Sequence, residues 1–134
     1  MIALGIGCRR DTPAEEIEAV IALALSAAVL SVDAVDVIAT EDGKAAEPGI
    51  VEVARRLGRP LVGIVARELG KVADLVVTSS ARVQRLKGVP SVAETAALAA
   101  VGAHPRLIVA RIANATATCA LARGEGRHAP EPAA

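Results

Sequence analysis

The 134-residue chain contains no phenylalanine, tyrosine or tryptophan. Proteins that bind single-stranded nucleic acid commonly stack bases on aromatic rings, so the sequence predicts no nucleic-acid partner. The interior must therefore be filled by valine, leucine, isoleucine and many alanines, which favours helices packed closely on a sheet. The length is that of one domain.

Net charge of either sign is also absent, because 15 basic residues balance 15 acidic ones. No overall field attracts the protein to DNA or to a membrane, so any electropositive site must be local. Cysteine is scarce: Cys8 and Cys119 form no C-x-x-C pair, and His104 and His128 are isolated. The sequence thus predicts no disulfide framework, no metal site and no cofactor.

Long hydrophobic runs are missing as well. The apolar half of the first predicted helix, residues 19–30, is too short to span a bilayer of about 30 Å. The amino terminus lacks the basic region of a signal peptide. We therefore expect a cytoplasmic protein with no membrane partner.

What the sequence does contain is an alternation of short apolar runs and segments with helical spacing. The predicted strands cover residues 2–6, 35–40, 61–65, 107–111 and 116–122, the last two as a hairpin with Asn114 in the left-handed position. The pattern predicts one three-layer α/β domain, residues 1–122, with a mixed, mostly parallel sheet and a C-terminal β-hairpin. Residues 123–134 are predicted to be a disordered tail.

Two predicted helices carry capping signals. Before the first helix, residues 13–30, Thr12 is the expected N-cap, Pro13 the first helical residue and Glu15 the partner in a T-x-x-E capping box. Before the last, within residues 88–102, Ser91 and Glu94 form an S-x-x-E box.

Proline and glycine delimit two further helices. Pro48 is expected near the first turn of a helix that Gly58 ends. A short helix at residues 66–69 is expected to end at Gly70. Residues 71–90 are the least readable part of the sequence. Residues 75–77 are predicted to be a strand or a packed connection, and the basic segment that follows is predicted to be a loop or a short helix.

The first predicted helix is apolar beyond a single stripe, since Leu23, Ala27 and Leu30 widen its buried face. Such a helix is covered on more than one side. The cover is either intramolecular packing or a second subunit, and the second option predicts a homodimer.

The turn between the first strand and the first helix is the leading binding-site candidate. Gly5 and Gly7 permit a close approach of the backbone. Arg9 and Arg10 stand beside the free N–H groups of a helix start, and guanidinium groups form bidentate bonds with carboxylates. The structural alternative is a pair of solvated cations, or partners for nearby glutamates.

Loops at the carboxyl ends of parallel strands are expected to gather on one rim, where open α/β sheets bind ligands. There, Lys44 could bind a carboxylate or polarise a carbonyl, and Glu47 could cap its helix or act as a general base. Cys8 is a nucleophilic thiol or a small buried residue, with the second reading favoured, whereas Cys119 is predicted to be core.

Three segments together carry a family resemblance: GIGCRRDTPAEEI from Gly5, a T-x-D-x-K-x-x-E-like segment from Thr40, and GVPSVAETAALAA from Gly88. They resemble CobE and the C-terminal domain of CbiG, proteins of cobalamin (vitamin B12) biosynthesis. The resemblance covers roughly residues 2–122. It departs from the family in the hairpin, where Asn114 stands in place of an expected glycine.

The resemblance implies a protein that binds a polycarboxylate precorrin or corrin intermediate, a tetrapyrrole. It also implies two alternatives: a hydrolase like CbiG, which opens a cobalt-precorrin lactone and releases acetaldehyde, or a non-catalytic partner of another corrin-pathway enzyme. The sequence begins directly with the first strand, as CobE does. No catalytic residue is assigned. The predicted substrate-binding residues are Gly7, Cys8, Arg9, Arg10, Thr40, Lys44, Glu47 and Ser91.

Overall fold

The computed structural model describes residues 1–79 and 91–126. The strands in these ranges are β1 (Ile2–Cys8), β2 (Val37–Glu41), β3 (Leu61–Ile64), β4 (Arg106–Ala113) and β5 (Ala117–Arg123). The helices are α1 (Ala14–Ala28), α2 (Pro48–Leu57), α3 (Ala66–Ser79) and α4 (Val92–Ala100), and Val32–Ala34 and Asp42–Lys44 are short 3₁₀ turns.

The described strands form one sheet in the order β3-β2-β1-β5-β4. Strands β1, β2 and β3 are parallel, with Ala3 opposite Val37 and Ile38 opposite Leu61. β5 runs antiparallel to β1 along its whole length, and the β4–β5 hairpin continues the sheet with two irregularities in register. This arrangement confirms the predicted α/β domain with a mixed sheet and a C-terminal hairpin.

One face of the sheet is covered by α1 and α2 and is built from large aliphatic side chains. Leu4, Ile6, Ile17, Ile38 and Ile50 are fully buried there. The alternation of β1 places its even-numbered residues on this face. At about 25 cal/mol per Å², such side chains contribute most of the hydrophobic stabilisation.

The other face is covered by α4, with α3 alongside. It is rich in alanine where α4 crosses the central strands, and Val37, Ile64, Leu98 and Val101 complete its buried cluster. Ala3 and Ala39 pack against an alanine-rich surface of α4. A Cβ added to Gly5 would lie 2.0 Å from the carbonyl oxygen of Ala93, so only glycine permits this approach. Helix α4 therefore packs close to the backbone of β1, an arrangement that leaves no room for aromatic side chains between them.

Several helix ends lie where the sequence predicts them. Pro48 occupies the first turn of α2, and Gly58 ends this helix with a positive φ of 68°. The Ser91 side chain accepts a hydrogen bond from the N–H of Glu94 (3.1 Å) and caps α4. The Glu94 carboxylate instead accepts the N–H of Arg111 on β4 (3.1 Å).

Two predictions of helix boundaries are wrong. Pro13, rather than Thr12, is the N-cap of α1, and no side chain caps this helix start. The T-x-x-E capping box therefore does not form, because the Thr12 hydroxyl donates to the carbonyl of Arg9 instead (2.7 Å). The helix predicted to stop at Gly70 continues to Ser79, since Gly70 fits within α3 without a close neighbour. Residues 75–77 are therefore helical, and the alternative of a strand there is wrong. Residues 80–90 of the basic segment that follows lie outside the described residues.

The ordered chain extends past residue 122. β5 ends at Arg123, and the N–H groups of Gly124, Glu125 and Gly126 donate to carbonyls of Met1, Ala103 and Val101. Residues 127–134, the rest of the predicted tail, lie outside the described residues. Among the described helices, none has the length and apolarity needed to cross a membrane.

Candidate functional site at the carboxyl edge of the sheet

The carboxyl ends of β1 and β2 meet at one edge of the sheet because these strands are parallel. β1 leads into the turn of residues 9–12, and β2 leads into the 3₁₀ turn Asp42–Lys44. The amino end of α4 reaches the same edge, since the Ala93 nitrogen lies 3.9 Å from a Cβ built on Gly7. The antiparallel β5 begins there too, which adds the tip of the β4–β5 hairpin.

The turn of residues 9–12 is held by bonds to distant parts of the chain. The N–H of Arg9 donates to the carbonyl of Thr116 (2.9 Å), and the N–H of Asp11 donates to the Glu47 carboxylate (2.6 Å). Asp11 has a positive φ of 62°, an uncommon conformation for a residue other than glycine. The hairpin and the β2–α2 loop therefore fix the backbone that carries the two arginines.

Arg9 and Arg10 are both exposed to solvent. Neither forms an ion pair with a residue in the described part of the chain, so the predicted alternative of pairing with Glu15 or Glu16 is not realised there. Glu15 instead pairs with Arg56 of α2 (3.3 Å). The carboxyl edge thus presents two guanidinium groups that have no ion-pair partner among residues 1–79 and 91–126.

Lys44 and Glu47 lie beside this turn as a pair. The Lys44 ammonium is 3.8 Å from one Glu47 oxygen, while the other oxygen accepts the Asp11 N–H. The side chain of Glu47 is only 10 % exposed and forms no capping bond to α2. Its carboxylate is thus committed to holding the turn, which leaves Lys44 as a third cation, partly neutralised.

Cys8 is half-buried under the same turn. Burial raises the pKa of its thiol, more than nearby Lys44 and a hydrogen bond with Thr12 lower it, and Glu47 raises it further. A thiol with a raised pKa is protonated at neutral pH and is a poor nucleophile. Cys119 lies in the core as predicted, where burial raises its pKa to about 12.

The remaining predicted site residues differ in accessibility. The Thr40 side chain is fully buried and donates its hydroxyl to the Ile6 carbonyl (2.8 Å), so it joins β2 to β1 below the edge. Gly7 is half-buried, and a Cβ built on it would approach the Thr118 hydroxyl to 2.8 Å. Ser91 is engaged in capping α4 through the Glu94 N–H.

We name the turn of residues 9–12 the arginine turn. A shallow cleft of about 320 Å³ opens between this turn and the tip of the β4–β5 hairpin. Its lining residues are Gly7, Cys8, Arg9, Asn114, Ala115, Thr116, Ala117 and Thr118. The sequence did not single out residues 115–118, because nothing in their local pattern shows that β5 starts beside the end of β1. In the described ranges, no group of three or more His, Cys, Asp or Glu residues is arranged to hold a metal.

Asn114 supports this cleft in a way that the sequence did not predict. Its φ is not positive, so the expected left-handed conformation is wrong. Instead its side-chain oxygen accepts the N–H groups of Thr116 (3.1 Å) and Ala117 (2.8 Å), as in an Asx turn, and its amide nitrogen donates to the Glu16 carbonyl of α1 (2.8 Å). The hairpin tip is therefore anchored to the start of α1.

These features define an open α/β domain with a cationic, partly preorganised carboxyl edge. The family model described as "Cobalamin synthesis G C-terminus" matches residues 2–122. The chain therefore belongs to the CobE/CbiG C-terminal family and is a protein of cobalamin biosynthesis, as the resemblance predicted.

Two curated relatives agree with this assignment. Protein CobE of Sinorhizobium sp is 37 % identical over 121 residues, which cover 90 % of this chain and 79 % of that protein. The cobalt-precorrin-5A hydrolase of Priestia megaterium is 33 % identical over 122 residues, but this chain spans only 32 % of its length.

Solved structures show the same fold. A crystal structure of CobE, from the cobalamin biosynthetic pathway, has a TM-score of 0.78 at 35 % identity and covers 92 % of this chain and 89 % of that chain. Cobalamin biosynthesis protein chiG from Agrobacterium tumefaciens has a TM-score of 0.75, also at 35 % identity, covering 92 % of this chain and 98 % of its own.

Proposed function

We propose that this protein binds a polycarboxylate precorrin or corrin intermediate at the carboxyl edge of its sheet, in the cytoplasm. The observation that supports the proposal most is the pair Arg9 and Arg10. Both guanidinium groups are exposed and unpaired among the described residues, on a turn held by Thr116 and Glu47. Guanidinium groups held on a fixed backbone suit a ligand that carries several carboxylates around its periphery.

The proposed mechanism of binding is electrostatic. The acetate and propionate groups of a corrin precursor accept charge-assisted hydrogen bonds from Arg9 and Arg10, and Lys44 adds a weaker attraction because Glu47 lies 3.8 Å from it. The N-terminal N–H groups of α1 and α4 contribute partial positive charge at the same edge. The cleft beside Gly7 is shallow, so the flat macrocycle lies across the edge rather than inside the fold.

Titration with cobyrinic acid, a corrin whose peripheral groups are free carboxylates, tests the proposal. Because the chain has no aromatic residue, it gives no intrinsic fluorescence signal and adds almost no absorbance in the near ultraviolet, so binding is followed through the absorbance of the corrin itself. The Arg9→Ala/Arg10→Ala variant is expected to bind at least about tenfold more weakly, since each lost charge-assisted bond is worth about 1.5–3 kcal/mol.

The matched control is Arg106→Ala/Arg123→Ala. These two exposed arginines face each other on β4 and β5 at the opposite edge, so the change in net charge is identical. Cobinamide, in which the peripheral carboxylates are amidated, is the matched ligand. Equal binding by both double variants, or equal binding of both ligands, would contradict recognition of carboxylates by the arginine turn.

Hydrolysis of a cobalt-precorrin is the second candidate, because the longer relative is named a cobalt-precorrin-5A hydrolase. The family resemblance implies a lactone as the bond that is hydrolysed. One observation favours it, namely that Cys8, Lys44 and Glu47 lie together. The Cys8 thiol is a weak nucleophile because its raised pKa keeps it protonated. The Glu47 carboxylate is a weak base because it already accepts the Asp11 N–H. A mass change of the bound intermediate on incubation would establish turnover and replace simple binding.

A non-catalytic role as a partner of a corrin-pathway enzyme, and a homodimer, are further options. Leu23 of α1 is 53 % exposed and Val29 is 89 % exposed, so the outer face of this helix is not covered within the described chain. No binding of any corrin, together with binding of such an enzyme, would support the partner role. Sedimentation at micromolar concentration measures the oligomeric state.

A further inference from the structure

The polar side chains around the cleft beside Arg9 are almost all engaged within the protein. The Thr12 hydroxyl donates to the Arg9 carbonyl (2.7 Å), and the Thr118 hydroxyl donates to the Gly7 carbonyl (3.3 Å). Asn114 uses both its amide oxygen and its amide nitrogen to hold the hairpin tip. These groups shape the cleft but have little capacity left for a ligand.

Two polar groups of the cleft are the exceptions. One is the exposed guanidinium of Arg9. The other is the hydroxyl of Thr116, whose oxygen is buried and has no hydrogen-bond partner in the described chain. Buried hydroxyls without partners are uncommon because their desolvation is not compensated, so a specific one requires an explanation.

The backbone carbonyl and N–H groups of Thr116 are both held by hydrogen bonds. The carbonyl of Thr116 accepts the Arg9 N–H (2.9 Å), and its own N–H donates to Asn114 (3.1 Å). The backbone therefore cannot move to satisfy the hydroxyl. Rotation about the Cα–Cβ bond between staggered positions is the remaining freedom.

We propose that Thr116 is a ligand-binding residue whose hydroxyl turns into the cleft and donates to the carboxylate that Arg9 binds. This inference rests on the proposed function and assigns one carboxylate a specific site between the arginine turn and the hairpin. A guanidinium can hold one carboxylate oxygen while a hydroxyl holds the other. Thr116 thus contributes specificity for a carboxylate reaching into the cleft over one that remains at the exposed rim.

Thr116→Val tests the inference, because valine keeps the shape and removes only the hydroxyl. Without ligand, the variant is expected to have an unchanged or higher Tm, since an unpartnered buried polar group is lost. Its affinity for cobyrinic acid is expected to fall about tenfold, as for a lost hydrogen bond to a charged group. An interaction that serves folding alone would not give these opposite signs.

Two control variants accompany it. Thr116→Ser keeps a hydroxyl at this position. Its affinity is expected to lie within about threefold of that of the unsubstituted protein, a smaller change than the loss of one neutral hydrogen bond would cause. Thr118→Val removes a hydroxyl that has a partner, so its Tm is expected to fall. Thr116→Val and Thr118→Val make the same chemical change in the same hairpin, so a difference between their Tm values reports on whether the lost hydroxyl had a partner.

Three results would overturn the inference. A lower Tm for Thr116→Val would show that its hydroxyl already has an internal partner. Unchanged affinity in that variant, with the loss seen for Arg9→Ala/Arg10→Ala, would remove Thr116 from the site and leave the proposed function standing. No binding by the unsubstituted protein would overturn both.

Discussion

The two faces of the sheet solve the same packing problem in opposite ways. The face under α1 and α2 is filled with isoleucine, leucine and valine. The face under α4 has alanines and Gly5 where the helix crosses the central strands, so the helix lies close to the backbone of β1. The first gains apolar area, and the second gains proximity. Only the second face needs glycine at a fixed position in β1.

This difference bears on the candidate site. Close seating over Gly5 and Gly7 places the amino end of α4 beside the end of β1, so helix N–H groups and the arginine turn share one edge. On the opposite face, α1 and α2 pack on the sheet through large aliphatic side chains, and ion pairs of Arg56 with Glu15 and Glu18 join the two helices at the surface. The small-residue face therefore controls the geometry of the site, and the aliphatic face provides most of the stability.

The largest effect is expected for Gly5→Ala, which attacks the close approach directly. The new methyl group would lie 2.0 Å from the Ala93 carbonyl oxygen and 2.9 Å from the Ala97 nitrogen, so α4 must move as a body. We expect a loss of at least about 3 kcal/mol, the upper end for overpacked cores. Chemical denaturation followed by far-UV circular dichroism measures it.

Gly43→Ala is the matched control, because a Cβ there meets nothing within 4 Å and the φ of Gly43 is not positive. Its stability is expected to stay within about 0.5 kcal/mol of the unsubstituted protein. A similar small loss for Gly5→Ala would show that the small-residue face tolerates added volume, and the contrast between the faces would disappear.

A smaller effect is expected from removing volume on the aliphatic face. Ile17 is fully buried, and its terminal methyl group points towards Gly49 at the start of α2. Ile17→Val deletes that methyl group and is expected to cost about 0.5–1.5 kcal/mol. The same denaturation experiment applies, and a loss as large as that of Gly5→Ala would mean that both faces are equally intolerant.

The smallest effect concerns the surface ion pairs of the α1–α2 face. Arg56 binds Glu52 (2.8 Å) and Glu18 (2.9 Å), and hydrogen bonds from Arg55 and Arg56 lower the pKa of Glu52 from 4.5 to about 2. Because the pKa of the folded state lies below that of the unfolded state, the stabilisation is complete above pH 4.5 and is lost as the pH falls towards 2.

Comparison with Glu52→Gln, by Tm measured from pH 7 to pH 2, tests this expectation. The unsubstituted protein is expected to be slightly more stable at pH 7, and the two Tm values should converge at the acid end. These side chains are exposed, so added salt should also reduce the difference. A difference that grows at low pH would contradict the assignment.

The parts of this fold that were predictable from sequence are those decided by neighbouring residues. Gly58 ends α2 because glycine readily adopts a positive φ, and Ser91 caps α4 through an N–H three residues away. The alternation of apolar runs was sufficient to predict the strands and the mixed sheet. The arginine turn was identified as the candidate site from its own residues.

The errors arise where a distant partner competes with a local one. Thr12 fits a capping box, but the turn folds back so that its hydroxyl meets the Arg9 carbonyl, and that turn is held by Glu47, 36 residues away from Asp11. Asn114 was expected to adopt a positive φ, but its side chain binds two N–H groups of the hairpin and a carbonyl of α1. No local pattern shows that these segments meet.

The beginning and the described end of this chain also meet. The Met1 ammonium donates to the Gly124 carbonyl (2.9 Å), and the Gly124 N–H donates back to Met1 (3.0 Å), at the sheet edge opposite Arg9 and Arg10. A second protein fused before Met1 would therefore leave the arginine turn uncovered. With residues 127–134 removed, a short linker from Gly126 to Met1 would permit circular permutation, with new ends opened in a surface loop away from the carboxyl edge.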